Sequence, residues 1–180
     1  MRLFNLLSVA GLACVLSVMM SAPATADMTD FHPGPAIPEY GRIADVPGAQ
    51  RLPEDTTFKV VFDISDTSPS GDVNRHIASA ARFINMHVAA GVPEDQIHLA
   101  IVVHGDASHD LTMPAEGEEN ASAGLIAALI DHGVEIYLCG QSATANDISV
   151  EDLLPGVRMA LSAMTEHALL QQQGYTLNPF

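Results

Sequence analysis

The residue in this chain best suited to do chemistry is Cys139, which ends a short apolar segment at 134–138. Gly140, Gln141 and Ser142 follow it and turn the chain into a polar segment that starts a helix. Free backbone N–H groups at a helix start stabilise a thiolate and lower the thiol pKa, which favours nucleophilic chemistry. The alternative is an inert, buried cysteine that acts as a small hydrophobe, and the position alone fits both interpretations equally well.

Two other apolar segments end in polar residues that bear on a thiolate. The first ends in Asp63, and the second ends in His104 and Gly105. Sites in open parallel sheets lie outside the carboxyl ends of the strands, so these residues are expected to share one rim with Cys139 if their strands are neighbours. A protonated His104 would stabilise the thiolate, whereas the aspartates would oppose it. Taken alone, His104 fits a structural hydrogen bond at a strand end better.

The sequence carries no motif that indicates a metal or a cofactor. Eight histidines are present, and His104 and His109 could reach one ion. No ligands follow a spacing such as H-E-x-x-H or C-x-x-C, so no metal site is predicted. The glycines lack a phosphate-loop pattern, and Ser142 lacks the G-x-S-x-G elbow of serine hydrolases. The first turn, 66–71, is acidic, which disfavours a flavin, and no cofactor is predicted.

The segments that position these residues alternate between strand and helix patterns from residue 58 onwards. Apolar runs predict strands at 58–65, 97–103, 134–139, 157–161 and 175–177, although 157–161 could also begin the last helix. Helical spacing predicts a first helix capped by Asp72 and stopped at Gly91, a second that ends at Gly133, and a last one at 162–174. A polar loop is expected at 107–119. This alternation predicts an α/β fold, a three-layer α/β/α sandwich with a mostly parallel, flavodoxin-like sheet of about five strands.

Two segments precede the predicted domain at 58–180. Residues 1–26 have the positive start, apolar centre and Ala24-Thr25-Ala26 cleavage pattern of a secretory signal peptide, with an uncleaved membrane anchor as the competing interpretation. Cleavage would remove Cys14, leave Cys139 as the only cysteine and exclude an intramolecular disulfide. Residues 27–57 form a proline-rich arm that could dock on the domain or on a neighbouring subunit. We expect a periplasmic or secreted bacterial protein without stable membrane insertion.

The charge of the chain limits its partners. The sequence has 22 acidic and 7 basic residues, and its net charge is −15 at pH 7. Binding to nucleic acids or anionic lipid surfaces requires clustered Lys and Arg, so neither is an expected partner. The acidic surface suits small or cationic partners, but solubility is the better explanation of the net charge.

Five short motifs, in this order along the chain, are similar to those of one known family. They are KVVF at 59–62, VVHG at 102–105, GVEIYLC at 133–139, ISVEDLLP at 148–155 and LQQQGY at 170–175. Together they resemble the DsrE/DsrF-like family of sulfur-relay proteins over residues 58–180. The arm, with Gly34-Pro35 and Tyr40-Gly41, resembles the exported branch of that family, whereas the best understood members act in the cytoplasm.

The resemblance implies a three-layer fold assembled as trimers or hexamers, with a strand-end cysteine that carries sulfur as a persulfide. Cys139 and His104 match the family positions and are the predicted catalytic residues. The predicted substrate-binding residues are Asp63, Gly105, Gly140, Gln141 and Ser142. The expected function is an exported, sulfurtransferase-like carrier, a homotrimer or homohexamer that exchanges sulfur with donor and acceptor proteins. The alternative is a non-catalytic oligomeric binding or scaffold protein in which Cys139 is structural.

Overall fold

The computed structural model describes residues 30–69 and 71–178, and a five-stranded parallel sheet forms its centre. The sheet order is β4-β3-β2-β1-β5, and the strands are β1 (Phe58–Ile64), β2 (Ile97–Val103), β3 (Glu135–Cys139), β4 (Arg158–Ala160) and β5 (Thr176–Asn178). The predicted α/β fold with a sheet of about five strands is therefore confirmed.

Helices cover both faces of this sheet. Within the described residues they are α1 (Arg75–Ala89), α2 (Ala123–Asp131), α3 (Gly140–Ala145) and α4 (Ala163–Gln172). The chain steps from β1 to β4 across the sheet, and α4 then leads back to β5 on the far side of β1. Because crossovers between parallel strands are right-handed, this reversal puts α4 on the opposite face from the other helices. Two separate cores result, and the smaller one, under α4, contains Val61, Ala100, Val102 and Leu170.

Alternation along the strands decides which side chains meet α4. On β2, Ile101 and Val103 belong to the main core, whereas Ala100 and Val102 pack under α4. His104, the next residue, is still extended, with φ −150°, and therefore continues the row on the α4 face. Polar residues at the carboxyl ends of β1 and β3 lie on this face as well, which places the site between the sheet and α4.

The first helix begins later than predicted, because Asn74 rather than Asp72 is its N-cap. The Asn74 side chain accepts hydrogen bonds from the N–H groups of His76 and Ile77, and its amide donates to the backbone oxygen of Asp66 at 3.0 Å. Asn74 is fully buried, whereas Asp72 is exposed. An amide side chain both donates and accepts, but an ionised carboxylate only accepts, so asparagine suits this buried corner. The prediction of Asp72 was wrong.

The segment 107–119, predicted to be a polar loop, starts inside a 3-10 helix that runs from Gly105 to Leu111. Ala107 and Leu111 are fully buried in that helix, so this part of the prediction was wrong. Too few apolar residues stand here to form a recognisable period. Near the C-terminus, the strand interpretation of 157–161 is confirmed by β4, and the helix and strand expected after it are present as α4 and β5.

The described part of the arm, residues 30–57, packs on α1 of its own chain. Ile37 and Ile43 are buried, and Ile37 belongs to the main core. The buried side chain of Asn85 accepts hydrogen bonds from the N–H groups of Ala36 and Ile37 at 3.1 and 2.8 Å. Its amide donates to the backbone oxygens of Ile37 and Tyr40, both at 2.9 Å. The arm therefore docks on its own domain, one of the two predicted arrangements.

The signal peptide predicted at 1–26 lies outside the described residues. Within 30–69 and 71–178, no helix has both the length and the apolar character that crossing a membrane requires.

Candidate functional site

Cys139 is both the last residue of β3 and the N-cap of α3, so the strand passes into the helix without a loop. It is the single cysteine among the described residues and is 6% exposed. Gly140 permits this junction, because a Cβ there would lie 2.6 Å from the backbone oxygen of Ala160 on β4. A larger residue would push α3 away from β4 and move the backbone around the cysteine.

The first turns of two helices converge on the sulfur of Cys139. The N–H groups of Gln141 and Ser142 in α3, the N–H group of Ala163 in α4 and the Ser142 hydroxyl all donate to Sγ. Burial raises the pKa of the Cys139 thiol, but these donors together lower it by more, so the pKa lies below its ordinary value. The position therefore stabilises a thiolate.

Gly105 orients the hydroxyl that contacts the sulfur. Its N–H group donates to Ser142 Oγ at 3.1 Å, which occupies an oxygen lone pair and leaves the hydroxyl proton for Cys139. Gly105 has φ +59°, a left-handed conformation that favours glycine, and a Cβ there would lie 3.3 Å from the backbone oxygen of Ser65. The sequence predicted Gly105 and Ser142 as site residues, and the structure joins them in one chain of hydrogen bonds.

Two histidines share one carboxylate oxygen beside the cysteine. His167 Nε2 donates to Asp63 Oδ1 at 2.8 Å, and His104 Nε2 lies 3.2 Å from the same oxygen. His167 is the more buried ring, with 15% of its side chain exposed against 33% for His104. We call this group the His–Asp–His cluster; it consists of Asp63, His104 and His167.

A cavity of about 310 Å³ connects the cluster with the thiol. Its lining comprises Asp63, His104, Cys139, Gln141, Ser142, Ser162, Ala163, Met164 and His167. Five of the seven residues predicted as a site line it directly. The other two act through the backbone. Gly105 holds the Ser142 hydroxyl with its N–H group, and Gly140 lets α3 start next to β4.

The contribution of α4, which is His167 together with Ser162, Ala163 and Met164, was not predicted from the sequence. A helix that follows a parallel strand starts at that strand's carboxyl end, so the predicted helix start at Ser162 already placed these residues on the rim. His167 lies four residues after Ala163, and this spacing puts both on one face of α4. The signal is present, but the pattern at 157–161 also fits the start of the last helix, which hides the strand end that would bring these residues to the rim.

The remaining histidines do not gather into a metal site. Among residues 30–69 and 71–178, no three His, Cys, Asp or Glu side chains are arranged to hold a metal ion. His87 packs against the rings of Phe58 and Phe83, and His132 pairs with Glu94 at 2.5 Å. Both are explained by local packing and pairing.

Two solved structures of low sequence identity share this fold. MTH1491, a protein of unknown function from Methanobacterium thermoautotrophicum, is 20% identical with a TM-score of 0.53, over 68% of this chain and 99% of that chain. The ychN protein from E. coli is 18% identical with a TM-score of 0.51, over 68% of this chain and 100% of that chain. At such identities the likeness shows the fold alone.

A search of curated proteins finds no match to this chain. The sequence model of the DsrE/DsrF-like family, in contrast, matches residues 59–179, which is nearly the whole predicted domain. The chain is a member of the DsrE/DsrF-like family.

Proposed function

We propose that this protein carries sulfur as a persulfide on Cys139, receiving it from a donor and passing it to an acceptor. The observation that carries this proposal is the set of N–H and O–H donors around Sγ. An inert buried cysteine packs as a small hydrophobe and has no need of such donors. Membership of the DsrE/DsrF-like family supports the same chemistry.

Loading starts with attack of the Cys139 thiolate on the outer sulfur of a donor persulfide or polysulfide. A bond forms between Sγ and that sulfur, the donor S–S bond breaks, and the donor leaves with the electron pair as a thiolate or a shorter polysulfide. In release, an acceptor thiolate attacks the outer sulfur of the Cys139 persulfide, and Cys139 leaves as a thiolate. One sulfur atom moves in each step without net oxidation, and a leaving thiol of low pKa departs faster.

The test is to treat the purified protein with inorganic polysulfide, locate added sulfur by mass spectrometry and measure alkylation rate against pH. We expect one or more sulfur atoms on Cys139 and an apparent thiol pKa below about 8.5, the value of a free cysteine. The Cys139→Ser variant should gain no sulfur and should fold normally. A wild-type thiol that reacts slowly and gains no sulfur would instead favour a non-catalytic binding or scaffold protein.

The carrier is further proposed to act outside the cytoplasm, as a homotrimer or homohexamer that exchanges sulfur with partner proteins. The signal-like pattern at 1–26 supports the location, and the family resemblance supports the assembly. Light scattering of the purified protein measures the assembly mass, and a monomer would contradict it. N-terminal sequencing of protein from the periplasm and medium should find a chain that begins at Asp27.

A further inference from the structure

The His–Asp–His cluster lines the cavity of Cys139, yet the lowered thiol pKa does not depend on it. The donors that lower that pKa come from the first turns of α3 and α4 and from Ser142. Removing a carboxylate and two imidazoles from water costs free energy. Their presence beside the thiol therefore needs an explanation. The cluster is therefore a group of polar residues in the site without an assigned task.

The geometry of the cluster determines where its protons lie. A ring nitrogen this close to a carboxylate oxygen carries a hydrogen, because two lone pairs would repel, so both rings hold a proton on Nε2. Each ring can then gain or lose a proton only at Nδ1. In the described part of the chain, His167 Nδ1 is buried and has no hydrogen-bond partner. Because that atom is shut off from solvent, the more exposed ring of His104 is the one that can exchange a proton with the cavity.

The register of the sheet places the cluster next to the atom that a persulfide adds. Val103 and Leu138 are paired across β2 and β3, so the residues that follow them, His104 and Cys139, lie side by side. Both point to the α4 face and line the same cavity. An outer sulfur lies about 2 Å from Sγ along the S–S bond, and the N–H donors already occupy the surroundings of Sγ itself.

We propose that the His–Asp–His cluster binds the outer sulfur of the Cys139 persulfide and that its His104 ring supplies the proton, while the buried His167 holds Asp63 in place. This rests on the proposed persulfide chemistry. The site would then treat the two sulfur atoms differently, since backbone N–H groups stabilise Sγ as a leaving thiolate while the cluster keeps the outer sulfur neutral. A neutral outer sulfur is open to an anionic nucleophile, whereas a negative one repels it.

The proton balance of this step closes with one proton taken from solvent in each cycle. Loading by a persulfide anion leaves Cys139–S–S⁻, and His104 in its protonated form transfers the Nδ1 proton to give Cys139–S–SH and a neutral ring. When an acceptor anion removes the outer sulfur, Cys139 leaves as a thiolate and the proton stays with the transferred sulfur; the ring regains one from solvent. The titratable side chains that line the cavity are Asp63 from β1, His104 from β2, Cys139 from β3 and His167 from α4, and α3 contributes Gln141 and Ser142.

The experiment separates loading from release. Wild type, His167→Gln, His104→Gln and the double variant are loaded with inorganic polysulfide, freed of excess reagent, and mixed with cyanide, which removes the outer sulfur as thiocyanate. His98→Gln is the matched control, because His98 lies on the same face of β2 but is exposed at the opposite end of that strand. Rates are compared with wild type at each pH from 6 to 9, so that the ionisation of cyanide cancels.

We expect alkylation of the free thiol, which carries no outer sulfur, to change by less than about twofold in every variant, and release is expressed per loaded sulfur. A positioned general acid contributes about 100-fold or more, so release should slow about tenfold in each single variant and about 100-fold in the double variant, most at low pH. His98→Gln should release sulfur like wild type. If His167→Gln does not fold, as judged by circular dichroism, the release rate of His104→Gln is compared with wild type instead.

The results that overturn the two ideas differ. Variants that load normally and release at the wild-type rate would overturn the role of the cluster while leaving the carrier intact. Equal losses in alkylation and release would overturn it too, since they indicate a structural role. A wild-type protein that takes up no sulfur would instead remove the carrier proposal on which the cluster's role rests.

Discussion

At the scale of single residues, the thiolate is stabilised by donors that the sequence shows only in part. Cys139, Ser142 and His104 were predicted because each stands at a strand end, where a parallel sheet collects polar groups. The N–H group of Ala163 has no signature in the sequence, because it depends on where the first turn of α4 meets β3. His167 was missed for the same reason. A reactive thiol was thus predictable from the sequence, but the hydrogen-bond donors to its sulfur were not.

Ser142→Ala should raise the pKa of Cys139, because it removes a hydroxyl that donates to the thiolate and leaves the Gly105 N–H group without its acceptor. A hydrogen bond to a charged group is worth about 1.5–3 kcal/mol, so we expect the alkylation profile of Cys139 to move clearly towards higher pH. The alkylation rate against pH measures it. Ser79→Ala on α1 removes a hydroxyl that donates to the backbone oxygen of Arg75. It should leave the pH profile of alkylation unchanged.

The lowered pKa of Cys139 also predicts how stability depends on pH. Folding favours the thiolate, so its contribution is complete above the unfolded pKa of about 8.5 and is lost as the pH falls through the lower folded pKa. Ser does not titrate in this range. Under reducing conditions, the free energy of unfolding of wild type relative to Cys139→Ser should therefore be greater at pH 9 than at pH 6. Equal differences from urea titrations at the two pH values would contradict the shift.

At the scale of elements, most strands and helices followed from apolar period and from stop residues, as with α4 after Ser162. The prediction of element boundaries was wrong where contacts with distant residues, rather than the local sequence, determine the structure. Asp72 is a good cap by type, but Asn74 satisfies both the helix start and the backbone of Asp66. The 3-10 helix at Gly105–Leu111 was missed because its pattern is too short to show a period. Tertiary contacts decided these two places.

Gly140→Ala tests whether the close approach of α3 and β4 builds the site. The new Cβ would meet the Ala160 backbone oxygen at 2.6 Å, and since backbone cannot rotate away, α3 must shift. We expect a loss of about 1–3 kcal/mol in unfolding free energy together with slower alkylation of Cys139. Gly117→Ala, which is strained by its φ of +86° but open around Cβ, should leave the thiol reactivity intact.

At the scale of the whole molecule, charge and topology act on the site together. The net charge of −15 repels anionic sulfur donors, although the site itself favours an anion at Sγ. The sheet topology leaves α4 as the helix that covers the site, whereas α1, α2 and α3 pack on the other face. The fold class was predictable from the alternation of strands and helices. That α4 alone among the described helices covers the cysteine was not predictable, because it depends on the strand order.

The charge predicts that loading by an anionic donor becomes faster with salt. Between about 0.01 M and 0.1 M salt the screening length falls from about 30 Å to about 10 Å, which weakens the repulsion of polysulfide. We expect the loading rate to rise about threefold over this range. Iodoacetamide, which is neutral, is the control and should react at a constant rate. A loading rate that falls with salt would indicate a local basic attraction instead.

The pairing of the last strand with the first governs when reactivity appears during synthesis. Val60 on β1 pairs with Thr176 on β5, so the sheet is complete only after nearly the entire chain has been made. Cys139 leaves the ribosome before Ala163 and His167, which arrive with α4 just ahead of β5. A nascent chain therefore holds an ordinary thiol, mostly protonated and slow to react. The final docking step supplies the Ala163 N–H donor, so the full lowering of the thiol pKa arises only with the completed fold.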